Sequence, residues 1–239
     1  MNRFIENIDM VPATLVRDPL TNNMPIHDLR FPLEINFTSA SSPLDKKYNR
    51  VIKRIVDFSV SLTMIILLLS WLIPILAILI KLSSRGPVFF LQKRNRHGGK
   101  TFQCLKFRTM IVNDEADLLA ARANDDRVTA FGKFLRHYHL DELPQLVNVL
   151  LGDMSLIGPR PHMLSDNRRY EKLIRGYDLR HKVKPGITGL AQMKGYCGPI
   201  DNFQTLEARV NMDIFYIRNW SPKLDIMILY RTIHKTIGK

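Results

Sequence analysis

The chain of 239 residues is poor in cysteine, poor in acidic side chains, and lacks the run of residues that would begin a secretory signal. Each shortage closes off a class of protein. The two cysteines, Cys104 and Cys197, have no metal-ligand spacing and make no disulfide framework. They fit a reducing compartment and are read as packing residues. His137 and His139 bracket Tyr138 with no third ligand nearby, a poor basis for zinc. The first thirty residues lack a basic start followed by an apolar run, so no signal peptide is expected. No internal repeat or low-complexity tract is evident, which sets repeat architectures aside.

The shortage of acid is uneven. Against 35 lysines and arginines stand 22 aspartates and glutamates, a net charge of +13. Residues 1–45 carry a net −3 and the remainder +16. Such a balance favours an anionic partner: lipid head groups, nucleic acid or a phosphorylated substrate. Residues 1–45 are polar, with scattered proline and no sustained periodicity, and read as an N-terminal arm or linker.

Charge is missing altogether from Phe58 to Ile80, 23 consecutive residues rich in Leu, Ile, Val and Met. As a straight helix the run would reach roughly 34 Å, enough for a bilayer core of about 30 Å. Two features speak for a re-entrant helix over residues 46–85 instead. Pro74 lies well inside the run, where it removes a backbone hydrogen bond and bends the helix. Both flanks are also basic: Lys46, Lys47, Arg50, Lys53 and Arg54 before the run, Lys81, Arg85, Lys93, Arg94, Arg96 and Lys100 after it. A spanning helix has one basic side, whereas a kinked hairpin that enters and leaves by the same face satisfies both. A transmembrane anchor with a proline kink is the alternative.

Residues 86–239 read as one α+β domain, mostly helical, with a small β-hairpin and amphipathic interfacial helices. Val88–Gln92 and Phe102–Arg108 flank the turn signal Gly98-Gly99 and form the hairpin. Helices are expected over 113–123, Asp141–Leu151, Ser165–Ile174, Asp201–Asn219 and Ser221–Ile237. The last opens on Ser221-Pro222, a cap followed by proline at the first helical position. Its residues Ile226, Leu229, Tyr230, Ile233 and Ile237 line one face, while Lys223, Arg231, Lys235 and Lys239 could reach lipid phosphates. Packing against the core is the alternative.

The stretch Leu140-Asp141-Glu142-Leu143-Pro144-Gln145 carries the most information. Leu143, Leu146, Val147 and Leu150 fall on one helix face, and Pro144 fits only the first turn. Asp141 and Glu142 therefore stand at the helix start and Gly152 ends it. An isolated Asp-Glu pair there serves as cap and dipole partner. A helix start is also a phosphate site, and an ionised carboxylate can attack phosphorus. Its neighbour can take Mg²⁺, a hard ion that keeps company with phosphates. Basic side chains sit on stiff backbone around this pair. Lys106 and Arg108 are two apart on the second hairpin strand, and Arg160 stands between two prolines. Lys184 precedes Pro185-Gly186, and Arg127 and Arg136 come just before the acidic pair. Planar guanidinium forks suit phosphate oxygens. Asp213 and Tyr216 are three apart on one helix, with Arg209 a turn earlier. They form a salt bridge and a core tyrosine, or part of a nucleotide pocket.

Together these residues resemble the bacterial sugar transferase family, the monotopic phosphoglycosyl transferases. The matching pieces run in order from Lys53-Arg54-Ile55-Val56-Asp57 and the proline-broken apolar run through Gly86-Pro87-Val88-Phe89-Phe90. Lys106–Met110, Leu140–Gln145, Met154–Pro161, Lys184–Gly189, Asp213 and Tyr216 follow. Gly158–Asn167 and Arg180–Pro185 look closest to the polyprenyl-phosphate glucose-1-phosphate transferases of exopolysaccharide synthesis. Tyr138 and His139 depart from the small polar residues that relatives often carry there. The resemblance implies an enzyme at the cytoplasmic face of the bacterial inner membrane, dependent on Mg²⁺. Asp141 would take a sugar-phosphate from a UDP-sugar, releasing UMP, and polyprenyl phosphate would collect it. Glu142 would hold the metal, and Lys106, Arg108, Arg136 and Arg160 would hold phosphates. Arg127, Lys184, Asp213 and Tyr216 complete the substrate-binding set. Membrane lipids are expected partners, nucleic acid is not, and a homodimer is left open. Long relatives place further membrane helices and a nucleotide-fold domain before this region, so the chain is a short form or part of a long one. The rival readings are a membrane-tethered basic binding protein and an inactive scaffold.

Overall fold

A computed structural model describes residues 41–113, 125–198, 200 and 202–237. The expected N-terminal arm up to residue 40, most of the expected helix at 113–123, and Lys239 lie outside the described residues. The apolar run forms the core of one helical course, Lys47–Ser83, long and apolar enough to cross a membrane. It divides into α1 (Lys47–Met64), a wide π-helical segment (Ile65–Leu69) and α2 (Ser70–Ser83), with Pro74 inside α2. The bend signal predicted at Pro74 thus appears as a wide turn just before it. There the amide of Ser70 reaches back to the carbonyl of Ile65. The carbonyls of Ile66 and Leu67 are taken by side chains, Ser70 Oγ at 2.6 Å and Trp71 Nε1 at 2.8 Å. Such side-chain donors make a widened turn tolerable in an apolar setting.

Both halves of this course rest on the same body. The C-terminal half contributes Leu76 and Ile80 to a buried cluster with Phe107 and Leu135, flanked by Leu72, Ile73, Val88, Phe131 and Leu140. Burying each such side chain contributes about 1.5–3 kcal/mol. Arg108 locks the end of α2, donating to the carbonyls of Ser84 at 2.6 Å and Arg85 at 2.8 Å. The N-terminal half lies against the helix α4 (Gln145–Leu151) and the strand β3 (Ser155–Ile157).

The predicted hairpin is present and longer than expected. Strands β1 (Phe89–Asn95) and β2 (Thr101–Phe107) pair antiparallel, with Leu91 opposite Leu105 and Gln92 opposite Cys104. A second, parallel pair joins β3 to β4 (Gly186–Thr188), each too short to leave a periodic signature. Helix α3 (Ala130–His137), capped by Thr129, also went unpredicted. Three later helices fall inside the expected windows to within a residue, α5 (Leu164–Tyr170), α7 (Phe203–Arg218) and α8 (Pro222–Ile237), whereas a four-residue α6 (Leu190–Met193) was not expected. Ser221 caps α8 through the amide of Leu224. On α8, Ile228 is fully buried whereas Ile226, Tyr230 and Ile233 are exposed, so the helix serves the body with one side and leaves an apolar side open.

The two proline-glycine motifs meet at the parallel strand pair. The amide of Gly158 donates to Thr188 O, and the amide of Gly186 donates to Pro159 O. The backbones approach so closely that a Cβ on Gly186 would stand 2.1 Å from the amide nitrogen of Gly158. Glycine is required there by space. Gly186→Ala is expected to destabilise the protein by about 1–3 kcal/mol, read as a lowered midpoint of thermal unfolding in detergent.

Candidate active site

The acidic pair stands in a short 3-10 turn, Leu140–Glu142, and α4 begins only at Gln145. This corrects the expectation of one helix from Asp141: Pro144 precedes α4 rather than sitting in its first turn. The turn is entered through His139, at φ 56° the one non-glycine residue with positive φ among those described. A side chain in that region costs on the order of 1 kcal/mol, and such strain gathers at functional sites. α4 is fixed beside the hairpin by Asn148. Its amide donates to Gln103 O at 2.8 Å and accepts from the Leu105 amide at 2.9 Å, imitating a neighbouring strand.

That docking brings Glu142 to Lys106. Lys106 Nζ lies 2.7 Å from Glu142 Oε1, and Arg160 reaches both carboxylate oxygens, with NH1 2.9 Å from Oε2. Burial opposes the charge on Glu142, but Arg160 and Lys106 outweigh it and hold its carboxyl well below the usual range. Asp141 behaves in the opposite way. Burial and the neighbouring Glu142 charge raise it to about 6, against the pull of Lys106, Arg136 and Arg160. No hydrogen bond to its carboxylate is formed among the described residues. Two adjacent carboxyls are thus driven apart, one a locked anion and the other titrating near neutrality, a pattern that marks divided chemical roles.

Behind Arg160 lies a buried polar network. Arg180 pairs with Asp213 at 2.7 Å, both nearly sealed from solvent, and donates from NH2 to the carbonyl of Arg160 at 2.7 Å. Its NH1 lies 3.0 Å from His162 Nδ1 and 2.9 Å from the Tyr177 hydroxyl. A guanidinium only donates, so Nδ1 accepts and the imidazole proton sits on Nε2. Burial and then the Arg180 charge hold His162 well below its usual range, in keeping with a neutral ring. Tyr177 also bonds Asn167 Oδ1 at 2.6 Å. A narrow cleft opens here, lined by Arg96, Arg160, Arg180, His181 and Pro185 among others.

Of the residues singled out in the sequence, Glu142, Lys106 and Arg160 come together. Arg136 stands close enough for its charge to act on Asp141, with Nε held by Thr109 Oγ1 at 2.8 Å. Others are placed elsewhere. Arg108 is turned to the end of α2, away from the face it was expected to share with Lys106. Arg127 forks onto Asp125. Lys184 is half-buried near Gly152 at the far end of α4. Of the two options for Asp213 and Tyr216, a salt bridge and a core tyrosine are what the geometry gives. Asp213 pairs with Arg180, and the buried Tyr216 hydroxyl meets Ile157 O at 3.0 Å and the Asp225 carboxylate at 2.8 Å. Asn148 and Arg180 were missed: neither lies on a face or spacing that sets it apart.

Among the described residues no group of three or more metal-ligating side chains occurs. A magnesium ion takes one or two carboxylates and fills its shell with phosphate oxygens and water. Glu142 Oε2 accepts only one hydrogen bond and keeps lone-pair capacity, so the donor chemistry fits the ion.

The raised Asp141 carboxyl has a thermodynamic consequence. The folded state binds this proton more tightly than the unfolded one. The resulting stabilisation is full below the ordinary carboxylate range and is lost as pH rises through about 6. At about 1.36 kcal/mol per pH unit the loss approaches about 3 kcal/mol. Asp141→Asn is therefore expected to raise the thermal midpoint by several degrees at pH 8, with the gain shrinking by pH 5.

Residues 48–239 match the family model described as "Bacterial sugar transferase". The UDP-glucose:undecaprenyl-phosphate glucose-1-phosphate transferase of Klebsiella pneumoniae is 49% identical over 195 residues, covering 81% of this chain and 42% of its own length. The exopolysaccharide production protein PSS of Rhizobium leguminosarum bv. phaseoli is 42% identical over 77% of this chain and 94% of its own. A UDP-N-acetylgalactosamine-undecaprenyl-phosphate N-acetylgalactosaminephosphotransferase of Aeromonas hydrophila is 45% identical over 66% of this chain and 37% of its own. The chain spans about two fifths of the length of the Klebsiella relative. By the family model that spans residues 48–239 and by these relatives, the chain belongs to the bacterial sugar transferase family.

Proposed function

We propose that the chain transfers a sugar-1-phosphate from a UDP-sugar to polyprenyl phosphate, with Asp141 as the nucleophile. The observation that carries this reading is the divided pair: Glu142 neutralised by Lys106 and Arg160, and beside it a carboxyl that titrates near 6. An Asp141 oxygen attacks the sugar-bearing phosphorus, the bond to the bridging oxygen breaks, and UMP leaves with that electron pair. An oxygen of polyprenyl phosphate then attacks the same phosphorus and releases the Asp141 carboxylate. Lys106, Arg136 and Arg160 would carry the negative charge that develops in both steps. Glu142 would hold Mg²⁺, whose chemistry here is to offset phosphate charge. The names of relatives cover both glucose and N-acetylgalactosamine donors, and UDP-glucose is the first donor to test. A purely basic binding surface or an inactive scaffold would have no use for an anionic Asp141 kept in partial burial.

The setting proposed is the cytoplasmic face of the bacterial inner membrane, with Lys47–Ser83 entering and leaving by that face. Support comes from the single body that both halves of the helix rest on. It also comes from Ile66, Leu67, Trp71, Ile75 and Ile78, all exposed on the charge-free run of the helix, an apolar surface that lipid would cover. Cysteines introduced at residues 50 and 85 are expected to label from the same side in intact cells. Labelling of one from the periplasm and the other from the cytoplasm rejects the re-entrant course.

The chemical test is mass spectrometry after incubation with UDP-glucose alone. A peptide containing Asp141 should carry a sugar-phosphate adduct, and Asp141→Asn should abolish both adduct and UMP release. Glu142→Gln should weaken the response to Mg²⁺ and slow both half-reactions. Turnover by the wild-type chain should fall as pH drops through about 6, as Asp141 takes up its proton. An adduct on Asp141→Asn protein, or near-normal turnover by it, removes the proposed nucleophile.

A further inference from the structure

The entry to the membrane helix makes three separate grips on the body. Lys53 Nζ lies 2.6 Å from Asp225 on α8. Asp57 Oδ1 accepts from Ser155 Oγ and from the Leu156 amide, both at 3.0 Å, on β3. Arg54 donates from NH1 to Val149 O at 2.6 Å and from NH2 to Leu150 O at 2.7 Å. Those two carbonyls belong to the last turn of α4, where a helix leaves acceptors unsatisfied and a cation is welcome. The sequence placed Lys53 and Arg54 in the basic flank before the apolar run, where their charge served only to argue the side of entry. The structure spends them inside the protein.

The target of Arg54 matters because of what stands at the other end of α4. The helix has only seven residues, a rise of about 10 Å at 1.5 Å per residue. Asp141 and Glu142 precede it by a few residues. Asn148 fixes α4 sideways against β2, but a lateral contact does little to stop sliding along the helix axis. Arg54 pulls on the C-terminal carbonyls, and its fork meets two of them at once, which a single ammonium cannot reproduce.

We propose that Arg54 is a positioning residue: by gripping the C-terminus of α4 it sets where Asp141 stands relative to Lys106 and Arg160. Seating of the membrane helix on the body thereby becomes a condition of catalysis. The proposal rests on the reading of Asp141 as nucleophile given above. Arg54 reaches no part of the acidic pair itself, so its loss should act on turnover and leave substrate affinity alone. Displacements of an ångström at a reacting atom can cost up to about 100-fold in rate.

The experiment compares the full chain with Arg54→Ala, Arg54→Lys and Arg50→Ala in detergent, using UDP-glucose and undecaprenyl phosphate. Arg50 is exposed one turn earlier on the same helix and serves as the charge control. Two quantities are read: kcat and KM for UDP-glucose, and hydrogen exchange of amides 145–151. Arg54→Ala is expected to lower kcat by about tenfold or more, with KM unchanged and faster exchange in α4. Arg54→Lys should recover part of both, and Arg50→Ala should match the wild type. Wild-type kcat in Arg54→Ala overturns the proposal, and so does a raised KM at unchanged kcat, which would make Arg54 a substrate contact. Should Arg54→Ala fail to fold, Arg54→Lys decides: full kcat overturns, reduced kcat at unchanged KM supports. If the wild-type chain releases no UMP, the functional reading fails by itself. Exchange in α4 then tests the grip of Arg54 alone, and no change overturns it.

Discussion

A carboxylate buried as deeply as that of Glu142 stays ionised only if cations are brought to it by distant parts of the chain. One comes from β2 as Lys106 and the other from the loop after β3 as Arg160. Leaving both partners out would strand a charge in a poorly solvated place, at a cost of about 3–5 kcal/mol. The rest of the body can be understood as support for that meeting. Asn148 holds α4 against β2. The contact between Gly158 and Gly186 sets the loop that bears Arg160, and Arg180 grips its backbone from behind while anchored on Asp213. Asp141 takes its character from the same meeting: a neighbour fixed as an anion is one reason its own proton is held so long.

The membrane helix belongs to this support. It is the element that the rest of the body closes around at both ends. Arg54 reaches from the helix to the carbonyls of α4, and Arg108 reaches from the body to the carbonyls that end α2. Both contacts use a guanidinium fork on carbonyls at a helix end. The same residue type thus solves the same physical problem twice, in opposite directions.

Much of this was legible beforehand, for reasons that differ from residue to residue. The apolar run and the hairpin are local patterns, and local patterns survive folding. The Asp-Glu pair was visible because its neighbours Leu143, Pro144 and Gly152 mark a helix boundary, although the 3-10 turn that separates it from α4 was not. Strands β3 and β4 could not be seen, being three residues each and stabilised by pairing across some thirty residues of chain. Arg108 misled because strand spacing predicts a shared face with Lys106, yet β2 ends at Phe107 and the alternation stops with it. Arg54 and Arg180 share a different problem. A basic residue in a basic stretch carries no sign of whether its charge is spent on lipid, on substrate or on a carbonyl of its own protein.

The docking of Asn148 reaches beyond the site. A two-stranded hairpin ordinarily offers two open rows of backbone donors and acceptors, an invitation to pair with any extended chain. Here Asn148 occupies Gln103 O and the Leu105 amide along the outer edge of β2, while Arg94 near the end of β1 bridges to Met163. The middle of one edge and the end of the other are already spoken for. Sheet extension between neighbouring copies on a crowded membrane is thereby discouraged. At the guarded positions of the hairpin, association is left to side chains, whose complementarity can be specific, rather than to backbone, whose hydrogen bonding accepts any sequence.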